Sequence, residues 1–308
     1  MDHFFKIDIP CIGSPECQRT LQQYGLQLSI GASYLLYAIL AFSASHLSFL
    51  FPEQKKYGIA ATINYDRSLA SYLAEIRTGL DANNANAILG ACHLHTMLAF
   101  RNVLSNNSAE GDLAFTWLRT MQGVGIMRHA NNLGLFETIW QPIYIESRGG
   151  EEFVCHHSEF DEKKTWASVT SKALHQLCDI ELSPSQTLKT NPYQKPLSLL
   201  CILLQYNGEH DKICLFMSTV GMLPSSFVEL LYFNDPRAML ILSYWCALLS
   251  QIDQWWIVGS ARAECVRLCT YLDTIPNQKI HDLLRYPARK CGYPIKDTKE
   301  GCILQQNF

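Results

Sequence analysis

Charge is scarce in this chain. Asp, Glu, Lys and Arg make up 17% of its 308 residues, the formal net charge is −3, and Lys and Arg never run longer than two in a row. A typical globular chain carries nearer a quarter charged residues. A protein that grips nucleic acid unaided needs a basic stripe to displace counterions from the phosphates. That footprint is missing, so direct binding to nucleic acid is not expected.

The short motifs of common chemistries are missing too. The chain has no glycine-rich phosphate loop, no G-x-S-x-G elbow, no H-E-x-x-H pair and no aspartate-rich metal motif of the terpene-cyclase kind. Its twelve cysteines never pair as C-x-x-C, and most fall inside apolar helical patterns. They are expected as small buried hydrophobes with free thiols, not as a disulfide framework. Neither a cofactor nor a metal site is expected. The opening MDHFFKIDIP lacks a basic stretch followed by an apolar one, so no secretory signal is expected. The longest apolar run, Tyr34 to Phe51, is interrupted by Ser43, Ser45, His46 and Ser48 and is barely long enough to cross a bilayer. It reads as a buried helix, and no transmembrane segment is expected.

What is abundant is apolar side chain, at 48%, arranged with helical periodicity and little two-residue alternation. The spacing predicts an all-α protein, an antiparallel array of helices forming one domain over 1–308. A first helix runs from about Ser33 to Leu50. A second, starting after Pro52, puts Leu69, Tyr72, Leu73, Ile76 and Leu80 on one face. A third is capped by Asn83 or Asn84 and aligns Ile88, Cys92, His95 and Ala99, and a fourth covers about Ala109 to His129. Residues 142–164, polar and holding a Gly-Gly pair, form an irregular insertion. Helices resume over about 197–206, 210–220 and 225–233. Asp235 and Pro236 then suit the N-cap and first position of a helix carrying Ala238, Leu242, Trp245, Cys246 and Leu249. Asp253 can cap the next helix, and a last one covers Asn277 to Lys290.

Four constellations stand out. His175 and Asp179 have H-x-x-x-D spacing, which most simply places them one turn apart on a surface helix. Cys155, His156 and His157 supply metal-ligand types, but adjacent residues converge poorly on one tetrahedral ion. His46, His93 and His95 lie in apolar helices, either as hydrogen-bonded core groups or as polar anchors in a greasy cavity. Large side chains recur at Trp117, Met121, Phe136, Phe216, Met217, Phe227, Phe233, Trp245 and Trp255. They serve equally as core or as the lining of a chamber.

Leu35 to Leu47 (LLYAILAFSASHL) and Asp235 to Trp256 (DPRAMLILSYWCALLSQIDQWW) resemble the opening and closing helices of the C-terminal regulatory domain of fungal zinc-cluster transcription factors, most closely the sterol-uptake-control group. Weaker likenesses connect them at Asn64 to Leu73, Asn86-Ala87, Trp117-Leu118 through Gly123-Val124, and Tyr286-Pro287. The resemblance implies an α-helical domain with a hydrophobic pocket for an ergosterol-like ligand. In those factors a six-cysteine cluster reads DNA ahead of this domain; here Met1 stands almost where the domain would begin.

Two functions follow from the resemblance and the missing motifs. The first is binding of a sterol- or terpenoid-like molecule in a helical pocket, by a free-standing homologue of the regulatory domain. The nine large side chains above then line the ligand, and a second copy or a full-length zinc-cluster factor is the protein partner. The second is a cofactor-free cyclase, isomerase or pericyclase of fungal secondary metabolism, with His46, His93, His95, Tyr232 and Tyr244 as candidate donors to a reacting carbonyl. The expected compartment is the cytoplasm or the nucleus.

Overall fold

The chain is all-α. The computed structural model describes residues 1–13, 15–102, 117–118, 120, 138–141, 166–180, 191–206 and 213–295, and no strand occurs among them. The insertion 142–164, with Cys155, His156 and His157, lies outside the described residues, as do Met121, Phe136 and most of the helix expected over 109–129.

A π-helical turn, Phe4–Asp8, and a 3-10 turn, Ile9–Cys11, lead into helix α1, Pro15–Gly31. Periodicity did not reveal α1, because its buried face is small or polar: Cys17, Thr20, Leu21, Gly25 and Ser29. Helix α2, Ser33–Leu50, follows, then α3, Lys55–Thr78, and α4, Ala85–Arg101. α2 packs along α3, antiparallel as the short connection 51–54 requires, and also touches α1, α4 and the lead turn. It is long and apolar enough to cross a membrane, yet half of it is buried inside the protein. α4 buries residues on nearly every side. Its Gly90 admits an indole so closely that a Cβ there would sit 2.9 Å from Trp140 Cζ2. That indole is anchored by Trp140 Nε1 donating to the Asn86 carbonyl at 2.8 Å.

The cap of α4 differs from the expected one. Asn84 makes no side-chain cap bond to the helix. Asp81 instead accepts from the amides of Asn83 and Asn84, while Asn84 Nδ2 reaches back to Glu75 and the Gly79 carbonyl. The polar cluster ties the end of α3 to the start of α4.

The later helices are α5, Trp166–Leu177; α6, Gln194–Tyr206; α7, Ile213–Gly221; α8, Ser225–Tyr232; α9, Pro236–Leu249; α10, Val258–Leu272; and α11, Gln278–Cys291. α9 is the spine of this part: everything from Ala238 to Leu249 is buried. Its start is as the sequence predicts, with Asp235 accepting from the amides of Arg237 and Ala238 and Pro236 in the first turn. α9, α10 and α11 pack pairwise against one another. Asn277 caps α11 by accepting from the amides of Lys279 and Ile280, and Gly292 ends it at φ +77°. Asp253 does not cap α10; an intervening turn delays that helix to Val258.

Pro287 sits inside α11 and has no amide proton for the Leu283 carbonyl one turn earlier. The Tyr244 hydroxyl fills that vacancy, donating to Leu283 O at 2.7 Å. Buried apolar side chains from Phe4 to Cys291 form one contiguous cluster. The early and late helices meet through Phe42 against Trp255, with ring centres 5.1 Å apart, and through Phe100 against Trp245 at 6.1 Å.

Candidate functional site

Helices α7 and α8 meet at 85°, with residues 222–224 as the break. Pro224, at φ −68° and ψ 149°, supplies an extended residue where a continuing helix would need αR geometry. The bend holds the two helices apart over α9 and leaves an apolar cleft of about 20 Å³. Pro196, Leu199, Leu200 and Leu203 of α6 form one wall. Thr219, Val220, Leu223 and Phe227 at the bend form another, and Ile241, Leu242 and Trp245 of α9 form the floor. That volume admits a water-sized guest. A larger one requires the leucine side chains of α6 to swing aside.

The polar atoms at this cleft are satisfied from within. Trp245 Nε1 donates to the Phe216 carbonyl at 3.1 Å and to Thr219 Oγ1 at 3.2 Å, and Thr219 Oγ1 donates to the same carbonyl at 2.7 Å. The indole face stacks on Trp117, 5.5 Å between ring centres and 8° between planes. These bonds and the stack fix the indole where it lines the cleft. Of the large side chains expected to line a ligand, Phe227 and Trp245 line this cleft, Phe216 supports it through its carbonyl, and Trp117 backs the indole. Met217 is half-buried, and Phe233 is 81% exposed beside the start of α9. Trp255 lies elsewhere, stacked on His46 at 4.7 Å.

The candidate donors are scattered, and none of the five lines the cleft. His46 Nδ1 is 2.5 Å from Asp8 Oδ1, and Ser43 Oγ donates to Asp8 Oδ2 at 2.5 Å. His3 Nε2 approaches the same carboxylate at 3.1 Å. Asp8 is 0% exposed, so the lead turn is fastened to α2 by a fully buried carboxylate. His95 is buried between α3 and α4. Ser68 Oγ donates to the Tyr34 carbonyl at 2.6 Å, so it accepts from His95 Nε2 at 2.7 Å, which makes the ring a neutral Nε2–H tautomer. Burial pushes the His95 imidazole down to about 4. Burial does the same to His93, also to about 4, against a weaker opposing hydrogen bond to the Leu89 carbonyl. Tyr244 is committed to α11, and burial, with Tyr286 beside it, pushes its hydroxyl pKa upward. Tyr232 is half-buried at the end of α8.

His175 departs from its expected surface position. It is buried in α5, its Nδ1 2.7 Å from the Ser171 carbonyl. Asp179 lies beyond the helix at φ +55°, largely exposed, and pairs with Arg237 at 3.3 Å. The helix ends between them, so the spacing makes no acid–base pair.

Two clusters escaped sequence reasoning. One is Asp8 with His3, His46 and Ser43. The other is Cys265, Cys269 and Cys291, whose sulfurs all lie within 4.8 Å of one another. Cys265 and Cys269 are one helical turn apart, a legible signal; their third member comes from a different helix, which no local pattern reveals.

Fold and cleft together define an all-α protein with an apolar recess at a helix bend. No family model matches the chain. It is similar to a protein of Gibberella zeae described as a Zn(2)-C6 fungal-type transcription factor, 23% identical over 273 residues, covering 84% of this chain and 53% of that protein. The chain thus spans about half the length of the curated relative it matches.

Proposed function

We propose that this chain is a regulatory-type helical module, one domain over 1–308, which takes an apolar small molecule of the sterol or terpenoid class at the α7–α8 bend. The observation that carries this reading is the cleft between α6, the bend and α9: eleven lining residues, nearly all apolar, over a fixed indole. Covering apolar surface contributes roughly 25 cal/mol per Å², so a greasy guest needs few polar contacts to bind. The cleft is narrow at rest, and the guest opens it by displacing Leu199, Leu200 and Leu203. Movement there passes to α9 through Trp245 and from α9 to α10 and α11, which gives the bound state a means of altering a protein surface. Likeness to a transcription factor over most of the chain supports a regulatory role, a nuclear site of action, and a second copy or a full-length zinc-cluster factor as partner.

The test is equilibrium binding of a labelled ergosterol-like sterol and of representative terpenoids to the purified chain. Saturable binding is expected, abolished by Leu200→Trp, which fills the cleft, and unchanged by Phe233→Ala at the surface. If no sterol or terpenoid binds saturably, or if L200W binds as the wild type does, the reading fails.

A further inference from the structure

Cys265 and Cys269 stand one turn apart on α10, and Cys291 is the last residue of α11. All three side chains are essentially shielded from solvent, at 0%, 0% and 1% exposure. Their sulfurs lie within 4.8 Å of one another. Three sulfurs around a pyramidal three-coordinate ion with bonds of about 2.3 Å stand about 3.4 Å apart. The triangle already present is therefore within about 1.5 Å of a ligating one.

The sulfurs have little else to do. Cys265 Sγ has long contacts to the carbonyls of Ser243, 3.5 Å, and Pro287, 3.6 Å, and Cys291 Sγ one to that of Ala288, 3.5 Å.

Charge selects the ion. The nearby Arg267 is already bound through both Nε and a terminal nitrogen to Glu264, at 3.0 and 2.7 Å, and Arg262 Nε donates to the Cys291 carbonyl at 2.9 Å. The charge of Arg267 is met by the Glu264 carboxylate, and solvent-exposed Arg262 directs its Nε to the Cys291 carbonyl, not to a sulfur. Three thiolates on Cu(I) leave two net negative charges, and on Zn(II) one, together with a demand for a fourth ligand. On a trivalent ion they leave none, and a neutral complex is what a dry interior tolerates.

We propose that Cys265, Cys269 and Cys291 form a three-sulfur site for a trivalent thiophilic ion, taken up as arsenous acid. The exchange is As(OH)3 plus three thiols giving one As bonded to three sulfurs plus three waters. Three As–O bonds and three S–H bonds break, three As–S bonds and three O–H bonds form, and no oxidant or reductant takes part. Entry is from the α11 end, where Gly292 closes the helix and the last turn opens most easily.

The experiment is an anaerobic titration of the full chain with arsenite, the thiols kept reduced by a phosphine. Native mass spectrometry reads stoichiometry, and arsenic-edge X-ray absorption reads the ligands. One tightly held equivalent with three sulfur neighbours is expected. It should vanish in each of C265A, C269A and C291A and persist in C92A, whose thiol lies in α4. Retention of that equivalent in all three variants, a mixed oxygen–sulfur shell in the wild type, or no bound arsenic would each overturn the proposal. The absorption measurement needs no variant and decides the matter even if a variant misfolds. Zinc(II) binding at these sulfurs that arsenite fails to displace would overturn the trivalent assignment.

Discussion

The early helices and the late ones build their interiors from different materials. Around α2 and α4 the core is threaded by polar groups in fixed bonds: Asp8 with His46 and Ser43, and Ser68 with His95 and the Tyr34 carbonyl. Around α9, α10 and α11 it is mostly aliphatic, aromatic and thiol, buried Ser243 and Glu264 bond within their own helices, and Tyr244 spends its hydroxyl repairing a helix that Pro287 interrupts. Polar pins specify one register but fail sharply when a partner is lost or protonated. An apolar interior yields gradually, and it is on this more yielding side that the cleft lies. The early region is thus the more rigidly specified of the two and the late region the more yielding.

The contrast is broken most severely at Asp8. Asp8→Ala leaves His46 and Ser43 buried without their partner, and a loss of about 3–5 kcal/mol is expected in urea unfolding. Leu248→Ala, from the heart of α9, is expected to cost about 2–5 kcal/mol through its cavity. If D8A proves much the milder of the two, the lead turn is not the pin described here.

Acid should discriminate next. His93 and His95 have folded pKa values near 4, against 6.5 for an ordinary imidazole. Between those values the unfolded chain binds protons that the folded one refuses, so their stabilising effect is full above pH 6.5 and lost as pH falls to 4. The loss amounts to about 3 kcal/mol for each ring. Unfolding free energy measured from pH 7 to 4 should fall accordingly, and His95→Gln should flatten part of the slope. An unchanged slope in H95Q would remove His95 from the account.

A smaller effect is expected at Tyr244. Tyr244→Phe removes the hydroxyl that donates to the Leu283 carbonyl, at a cost of about 1 kcal/mol. Hydrogen exchange should quicken in α11 while α2 and α4 are unchanged. Equal quickening on both sides would show that the regions are not energetically separate.

Much of this architecture was legible in the residues, and the exceptions have physical reasons. Asp235-Pro236 and Asn277 carried their helix starts in the sequence because capping is local chemistry. α1 was hidden because small and polar residues fill its buried face, and Asn84 turned back toward α3 because Asp81 had taken the adjacent amides. Phe227 and Trp245 stood out as large residues, but nothing local set them apart from Phe233, which the end of α8 carries to the surface. The Asp8 network and the three thiols join residues far apart in the chain. Convergence of that kind becomes visible only once the helices are packed.

The central claim is that the recess at the α7–α8 bend receives an apolar guest, and photocrosslinking with a diazirine-bearing sterol tests it most directly. Labelling that saturates, is competed by the parent sterol, and maps to peptides holding Leu199–Leu203, Thr219–Phe227 and Ile241–Trp245 is the predicted result. Label spread over the surface, or concentrated around α2 and α3, would contradict the account.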